Sequence, residues 1–221
     1  MRVARELQAI WCHTGRLMRL TRGTIIATII CCVSFADLCA QEDYHSPLRS
    51  PHWNAATYSS WGKGFSASRD VELATFGGMR VGRVMTHMIG GGLTGSTFEL
   101  DAELIPVEMV YWGGYRRVRG FAFNPLIMKW NFVGVRSRRM APFVLLSGGV
   151  LATAHDVPPG KTSDVNFVSG GGVGVHVFTR PRQAFSFDAR VLHISNAGLS
   201  RHNPGINASV QFTVGYTWFK K

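Results

Sequence analysis

The chain has 221 residues and a formal net charge of +11, with 25 Gly, 14 Phe and only 17% charged residues. This length fits one domain of barrel or sandwich size. After residue 40 no uninterrupted apolar run reaches the ~18 residues of a transmembrane helix, which argues against a helical membrane protein. Low charge, many glycines and many aromatic residues instead favour an all-β chain with tight turns.

Residues 1–40 are predicted to be a signal peptide. Arginines at positions between 16 and 22 precede an apolar core at residues 24–36, and Ala40 offers a small residue for cleavage. The alternative is an uncleaved anchor helix, for which the apolar core is short. All four cysteines lie in this segment, so the exported chain would contain neither a disulfide nor a thiolate metal site.

The chain that remains after cleavage is still basic. Removing residues 1–40 leaves 19 Lys/Arg and 11 Asp/Glu, a net charge of +8. A basic exported protein predicts an anionic partner, and export favours a phosphorylated lipid surface over nucleic acid. The sequence contains no RNA-binding motif, P-loop or zinc-ligand spacing, so we expect no nucleic-acid partner.

Most of the exported chain is predicted to form strands. Residues 41–69 are rich in Ser, His, Pro and Trp without a clear period, and they predict an N-terminal arm or plug. Residues 70–221 form alternating runs separated by Gly, Pro or charged turns, with Gly77-Gly78 as a hairpin turn. We place strands near residues 71–77, 79–86, 97–104, 119–132, 141–154, 165–177, 185–195 and 208–219. Eight antiparallel strands predict the smallest size of transmembrane, outer-membrane β-barrel.

The run at residues 97–104 has one apolar face and one acidic face. Three carboxylates on one face suit the polar lumen of a small barrel whose other face meets lipid. Their expected partners are arginines on neighbouring strands, such as Arg190 or Arg80. The alternative is a solvated face of a soluble sheet. The acidic residues of this run are Glu99, Asp101 and Glu103.

Two further runs have the same alternation. In residues 165–177 the even positions carry Asn166, glycines and His176, and lumen-facing glycines would let a narrow barrel close. We interpret His176 as a hydrogen-bonding residue of the lumen rather than a catalyst. In the last run, Tyr216 and Trp218 are expected in an aromatic girdle at the membrane interface.

The run at residues 185–195 carries the candidate chemistry. Phe185 and Phe187 begin an apolar face that His193 and Ser195 continue, while Asp188 lies on the opposite face. An imidazole and a hydroxyl on one face are the minimum for a base-activated nucleophile. If the apolar face meets lipid, the pair lies on the outside of the barrel, where a membrane lipid is a suitable substrate.

Residues 193–199 (HISNAGL), followed by NPG at 203–205, resemble the PagL-type lipid A deacylases, and the likeness extends more weakly over residues 70–221. These are eight-stranded outer-membrane barrels that remove a 3-O-linked hydroxyacyl chain from the lipid A of lipopolysaccharide. The resemblance implies that Ser195 is the nucleophile and His193 the general base. It also implies an oxyanion hole near the Gly198 N–H and the Asn203 side chain, with Asn196 as a further candidate donor.

Asn207 departs from this family, which has a glutamate at that position to orient the histidine. An asparagine can accept a hydrogen bond from imidazole, but it offers no full negative charge to the imidazolium. In a serine protease triad the same exchange of acid for amide costs roughly 10⁴ in kcat. Strand parity puts Asn207 on the polar face of the last run, unless a turn or bulge beside Gly205 resets the alternation.

The sequence therefore predicts an outer-membrane esterase of a Gram-negative cell. Ser195 would attack an acyl ester of lipid A, His193 would take and return the proton, and Asn207 would orient His193 weakly. The resemblance implies no metal or organic cofactor. The expected partners are lipopolysaccharide and outer-membrane lipids, and the sequence leaves open a homodimer.

Two alternatives remain at this point. The first is a non-catalytic outer-membrane barrel that binds lipid or protein or only stiffens the membrane, and Asn207 is its best support. The second is a soluble periplasmic β-sandwich or lipocalin-like carrier, in which the face of Phe185 and Phe187 would turn inward.

Overall fold

The structure is a computed structural model, and no helix in its described part is long and apolar enough to cross a membrane. The predicted signal peptide and the first residues of the predicted arm, 41–46, lie outside the described residues. The structure describes residues 47–65, 70–113, 116–135, 137, 139–159, 162–200, 202–203 and 205–220.

Eight antiparallel strands form a closed barrel, as the sequence predicts. Each strand pairs with its neighbours in the chain, and β1 pairs with β8 to close the sheet. Short 3-10 helices lie at Pro47–Arg49 and Gly92–Thr94. The strands are β1 (Trp53–Gly64), β2 (Val71–Val84), β3 (Ser96–Trp112), β4 (Arg116–Phe132), β5 (Met140–Thr153), β6 (Val165–Arg180), β7 (Gln183–Ser195) and β8 (Ile206–Lys220).

The first strand lies where the sequence suggests an arm. β1 falls within residues 41–69, and its inward positions are polar or small, such as Asn54, Ser60 and Gly62. Because neither of its faces is continuously apolar, its alternation is weak in the sequence. Pairing with β2 on one side and β8 on the other nevertheless makes β1 an integral part of the barrel.

The hairpin turn predicted at Gly77-Gly78 is wrong, because both glycines lie inside β2. The register between β1 and β2 shifts between Tyr58 and Ser60, and Gly77 has a φ of 65°. These features define a β-bulge rather than a turn. Gly78 lies opposite Tyr58, and a Cβ atom at Gly78 would overlap the Tyr58 ring. The glycine pair thus provides room for an inward-facing aromatic side chain.

The lumen contains the predicted carboxylates and their predicted partners. Glu103 accepts a hydrogen bond of 2.6 Å from Arg80 Nη2 and lies 3.4 Å from Arg190 Nη1. Lys129 Nζ lies 2.7 Å from both Glu99 Oε1 and Asp101 Oδ2. All of these side chains are buried. The acidic face of β3 is therefore the inner wall of the barrel, and it is neutralised by side chains of β2, β4 and β7.

The inner and outer faces of the other strands also match their sequence patterns. His176 is buried in the lumen, where its Nδ1 lies 2.7 Å from Ser186 Oγ, and Asp188 Oδ1 accepts a 2.7 Å hydrogen bond from Arg190 Nε. Phe185 and Phe187 are 44% and 42% exposed on the outer wall. This outward orientation is the opposite of what a soluble carrier requires, and it is the orientation expected of a barrel surrounded by lipid.

A candidate active site on the outer wall

The end of β7 places His193 and Ser195 on the outer face of the barrel. Leu192 and Ile194 are buried toward the lumen, whereas His193 is exposed and Ser195 is partly exposed. Because side chains alternate along a strand, His193 and Ser195 share the outward face, two residues apart. The structure therefore places the predicted base and nucleophile on the face of the sheet that the sequence indicates.

A tight turn follows Ser195 directly. The Leu199 N–H donates a 2.9 Å hydrogen bond to the Asn196 carbonyl, and φ is 49° at Ala197 and 84° at Gly198. Positive φ at both central residues is the signature of a type I′ turn. A non-glycine residue in this region carries roughly 1–3 kcal/mol of strain, so Ala197 stores strain beside the candidate nucleophile.

Asn196 and Asn203 hold the connection between β7 and β8 closed. The buried Asn196 side chain accepts a 2.9 Å hydrogen bond from the Gly198 N–H through Oδ1 and donates a 2.8 Å hydrogen bond from Nδ2 to the His202 carbonyl. The Asn196 N–H donates a 3.1 Å hydrogen bond to Asn203 Oδ1. Both polar atoms of the Asn196 amide are thus engaged within the connection.

A bulge in β8 lies directly opposite His193. Leu192 pairs with Ser209 and Ile194 pairs with Ile206, so the single residue His193 faces two residues of β8, Asn207 and Ala208. Ile206 and Ser209 are both buried, which shows that the extra residue resets the alternation of inner and outer positions. The bulge brings the Asn207 backbone beside His193. The Asn207 side chain is outside the described part of the structure.

Ser169 on β6 is a neighbour of His193 that the sequence pattern does not identify. Ser169 pairs with His193 and is exposed on the outer wall, and the next outward residue, Phe167, pairs with Ser195. Side chains directly opposite on paired strands have Cβ atoms about 4.5–5.5 Å apart, so the Ser169 side chain leaves the sheet next to that of His193. Its only signal in the sequence is a polar residue on an otherwise apolar or glycine face, and its partner depends on the strand register.

The acid that would complete a triad does not come from the paired strands. Asp188 is the only acidic residue in the sequences of β6, β7 and β8, and it is bound to Arg190 in the lumen. A cavity lined by Leu192, Ile194 and Arg190 also lies on the lumen side of β7, behind the candidate site. Among the described residues, no cluster of three or more His, Cys, Asp or Glu is placed to hold a metal ion.

Comparison with known proteins identifies a family. The model of the family "Lipid A 3-O-deacylase (PagL)" matches residues 44–217. No curated protein sequence matches the chain.

Several solved structures are similar to this barrel. The outer membrane enzyme PagL is 19% identical with a TM-score of 0.49, and the alignment covers 74% of this chain and 98% of that chain. Neisserial surface protein A (NspA) is 13% identical with a TM-score of 0.45, covering 76% and 96% of the two chains. The outer membrane protein OprG from Pseudomonas aeruginosa is 10% identical with a TM-score of 0.42, covering 80% and 99%.

Proposed function

Because the chain belongs to the lipid A 3-O-deacylase (PagL) family, we propose that it removes a 3-O-linked hydroxyacyl chain from the lipid A of lipopolysaccharide. Membership of this family also indicates an outer-membrane location for the barrel. The observation that carries the proposal is the pair of His193 and Ser195, which share the outward face at the end of β7 and directly precede a tight turn. An ester embedded in a membrane can reach a hydroxyl on the outer wall without leaving the lipid.

The proposed reaction has two steps. Ser195 Oγ attacks the ester carbonyl while His193 accepts the serine proton, and His193 then returns the proton to the departing sugar oxygen. The first products are an acyl-serine and a lipid A with a free 3-hydroxyl group. Water activated by His193 then attacks the acyl-serine, which releases the hydroxy fatty acid and regenerates Ser195. The two steps together consume one water molecule and need no redox partner.

The tetrahedral intermediates of both steps carry a negative oxygen that needs hydrogen-bond donors. We assign this role to the Asn203 amide nitrogen and the Gly198 N–H. A donor of this kind typically contributes about 10²–10³ in kcat. The Gly198 N–H bonds to Asn196 Oδ1 in the structure, so it becomes available only when the Asn196 amide turns away.

Two neutral neighbours support the orientation of His193 in this proposal. Asn207 approaches from the bulge of β8 and Ser169 from β6. Either can hydrogen-bond a ring nitrogen, but neither brings a charge that would stabilise the imidazolium formed during attack. We therefore expect a working but slow enzyme, in line with the roughly 10⁴-fold cost of replacing the acid by its amide in a serine triad.

Mass spectrometry of lipopolysaccharide tests the proposal. Purified, detergent-refolded protein is incubated with lipopolysaccharide beside Ser195→Ala and a matched control, Ser59→Ala, which changes an exposed serine on the outer wall of β1. We expect wild type and Ser59→Ala to remove one hydroxyacyl mass and Ser195→Ala to remove none. Circular dichroism confirms that each barrel is folded. A folded wild type that removes nothing would favour the non-catalytic barrel, and full activity of Ser195→Ala would assign the chemistry to another group.

A further inference from the structure

Among the residues that the structure describes, the exposed cations are unevenly distributed between the two ends of the barrel. We call the end that carries the start of β1 and the end of β8 the terminal end, and the end that carries His193 and Ser195 the site end. The β2–β3, β4–β5 and β6–β7 connections also lie at the terminal end. The exposed cations of the terminal end are Arg49, Arg83, Arg180, Arg182 and Lys220.

The acidic residues have the opposite distribution. Every Asp and Glu in the described part of the chain lies either in the lumen or at the site end. At the site end, Lys63 Nζ lies 3.4 Å from Glu72 Oε1, and this end also carries the exposed Arg117 and Arg119. The site-end acids are Asp70, Glu72, Asp156 and Asp164. Among the described residues, the cations of the terminal end therefore have no acidic residue beside them outside the lumen.

Aromatic side chains place these cations at the level of lipid headgroups. Trp53 and Trp218 are 51% and 42% exposed at the terminal end, and the Arg83 guanidinium lies 5.4 Å from the centre of the Trp53 ring. The Tyr216 ring lies 5.0 Å from Phe185 and 4.9 Å from Trp218. Belts of Trp and Tyr mark the membrane interface of outer-membrane barrels. The cations at the same level thus border the hydrocarbon region and face the phosphate layer.

We propose that the terminal end binds the phosphate groups of anionic phospholipids, such as phosphatidylglycerol, in the leaflet that surrounds it. Guanidinium groups form paired hydrogen bonds to phosphate oxygens, and a cluster of Lys and Arg at a membrane surface attracts anionic lipid. Within the described part of the chain these cations have no acidic partner outside the lumen. Arg83, Arg180 and Lys220 come from β2, β6 and β8, so they reach lipid on several sides of the barrel. This binding would hold the terminal end in a phospholipid leaflet and the site end in the opposite leaflet.

Spin-labelled lipids measure this preference directly. Wild type is reconstituted in phosphatidylcholine vesicles with traces of spin-labelled phosphatidylglycerol or phosphatidylcholine, and the protein-bound fraction of each lipid is measured by electron paramagnetic resonance. We expect about a two- to fivefold preference for phosphatidylglycerol at low salt that weakens as salt rises. Equal binding of the two lipids by the folded wild type would overturn the proposal.

Matched triple variants locate the binding. The terminal-end variant should lose most of the preference for phosphatidylglycerol, and it combines Arg83→Gln, Arg180→Gln and Lys220→Gln. The site-end variant should retain that preference although it removes the same charge, and it combines Lys63→Gln, Arg117→Gln and Arg119→Gln. An equal loss in both variants, or a loss only in the second, would contradict the assignment to the terminal end. If the first triple variant does not fold, the single substitutions at Arg83, Arg180 and Lys220 should each lower the preference in part, and unchanged single variants would also contradict it.

Discussion

At the scale of single residues, the uncharged Asn207 limits the rate that we expect for the proposed hydrolysis. His193 becomes positively charged when it accepts the proton of Ser195, and a carboxylate beside it would stabilise that charge. The bulge of β8 brings the backbone of position 207 opposite His193, and the family resemblance implies a glutamate at this position. In the proposed mechanism this position therefore supplies an amide where the resemblance implies a carboxylate.

The variant Asn207→Glu should therefore raise the rate of lipid A deacylation. We expect an increase in kcat of about 10- to 10³-fold, because the exchange of acid for amide costs roughly 10⁴ in a serine triad and a transplanted acid recovers part of that. The rate of release of the hydroxy fatty acid measures the change. The control Asn207→Gln introduces a side chain as long as that of glutamate but without its charge, and it should not increase kcat. A similar gain in both variants would assign the effect to length rather than charge.

Sequence periodicity predicts some residues of the site and cannot predict others. The shared face of His193 and Ser195 follows from a period of two, and the turn after them follows from the Asn, Gly and Pro that follow. The pairing of Ser169 with His193 depends on how β6 pairs with β7, and local periodicity does not specify this register. The hydrogen bond from Gly198 to Asn196 depends on a backbone with positive φ at Ala197, a residue type that rarely adopts it.

At the scale of strands, each β-bulge shifts the alternation of inward-facing and outward-facing residues by one position. The glycine pair of β2 accommodates one bulge, and the register shift of β8 creates another. The sequence predicts seven of the eight strand regions, although it divides β2 in two. It misses β1 because the inward face of that strand is built from Asn54, Ser60 and glycines, which complement the lumen rather than form an apolar stripe.

Gly78→Ala tests the bulge of β2. The added Cβ atom would overlap the Tyr58 ring, so we expect a loss of about 1–3 kcal/mol in the free energy of unfolding. Gly148→Ala is the matched control, because a Cβ atom there meets open space and should change stability by less than about 1 kcal/mol. Urea unfolding of the refolded barrel in lipid vesicles measures both variants.

The overlap also predicts a coupling between the two residues. In a Tyr58→Ala background the same Gly78→Ala substitution should cost less, by at least about 0.5 kcal/mol, because the ring is gone. Strictly additive effects of the two substitutions would show that Gly78 is needed for another reason, such as the backbone geometry of the bulge.

At the scale of the whole molecule, the barrel interior contains a buried polar column beside buried apolar clusters, one of which includes Leu73, Ile105 and Ile194. Glu103 of β3 joins Arg80 of β2 to Arg190 of β7, and Lys129 of β4 joins Glu99 and Asp101. The sequence predicts part of this column, because three carboxylates on one face of a strand need cations nearby and Arg80 and Arg190 are the expected partners. Lys129 is a further partner that the sequence pattern does not predict. These ion pairs therefore connect strands on different sides of the barrel through the lumen.

Glu103→Gln should destabilise the barrel strongly. It removes the carboxylate between two buried guanidinium groups, and loss of one partner from a buried ion pair typically costs about 3–5 kcal/mol. Glu72→Gln removes a carboxylate from an exposed pair with Lys63 and should cost less than about 1 kcal/mol. Urea unfolding compares the two. Equal small losses would mean that the network contributes little to stability and that the lumen tolerates unpaired arginines.

Because Ser195 lies on the outer wall, the substrate concentration that matters for the proposed enzyme is the surface density of lipid A in the membrane. A substrate that arrives sideways through the leaflet is counted per unit of membrane area, and the volume of the surrounding solution does not enter. Spreading a fixed amount of lipid A among inert lipids would slow turnover even though the amount in the sample stays the same. The released fatty acid would also stay in the bilayer beside the barrel, where it competes with the next substrate. The reaction would then be governed by the composition of the leaflet in contact with β6, β7 and β8.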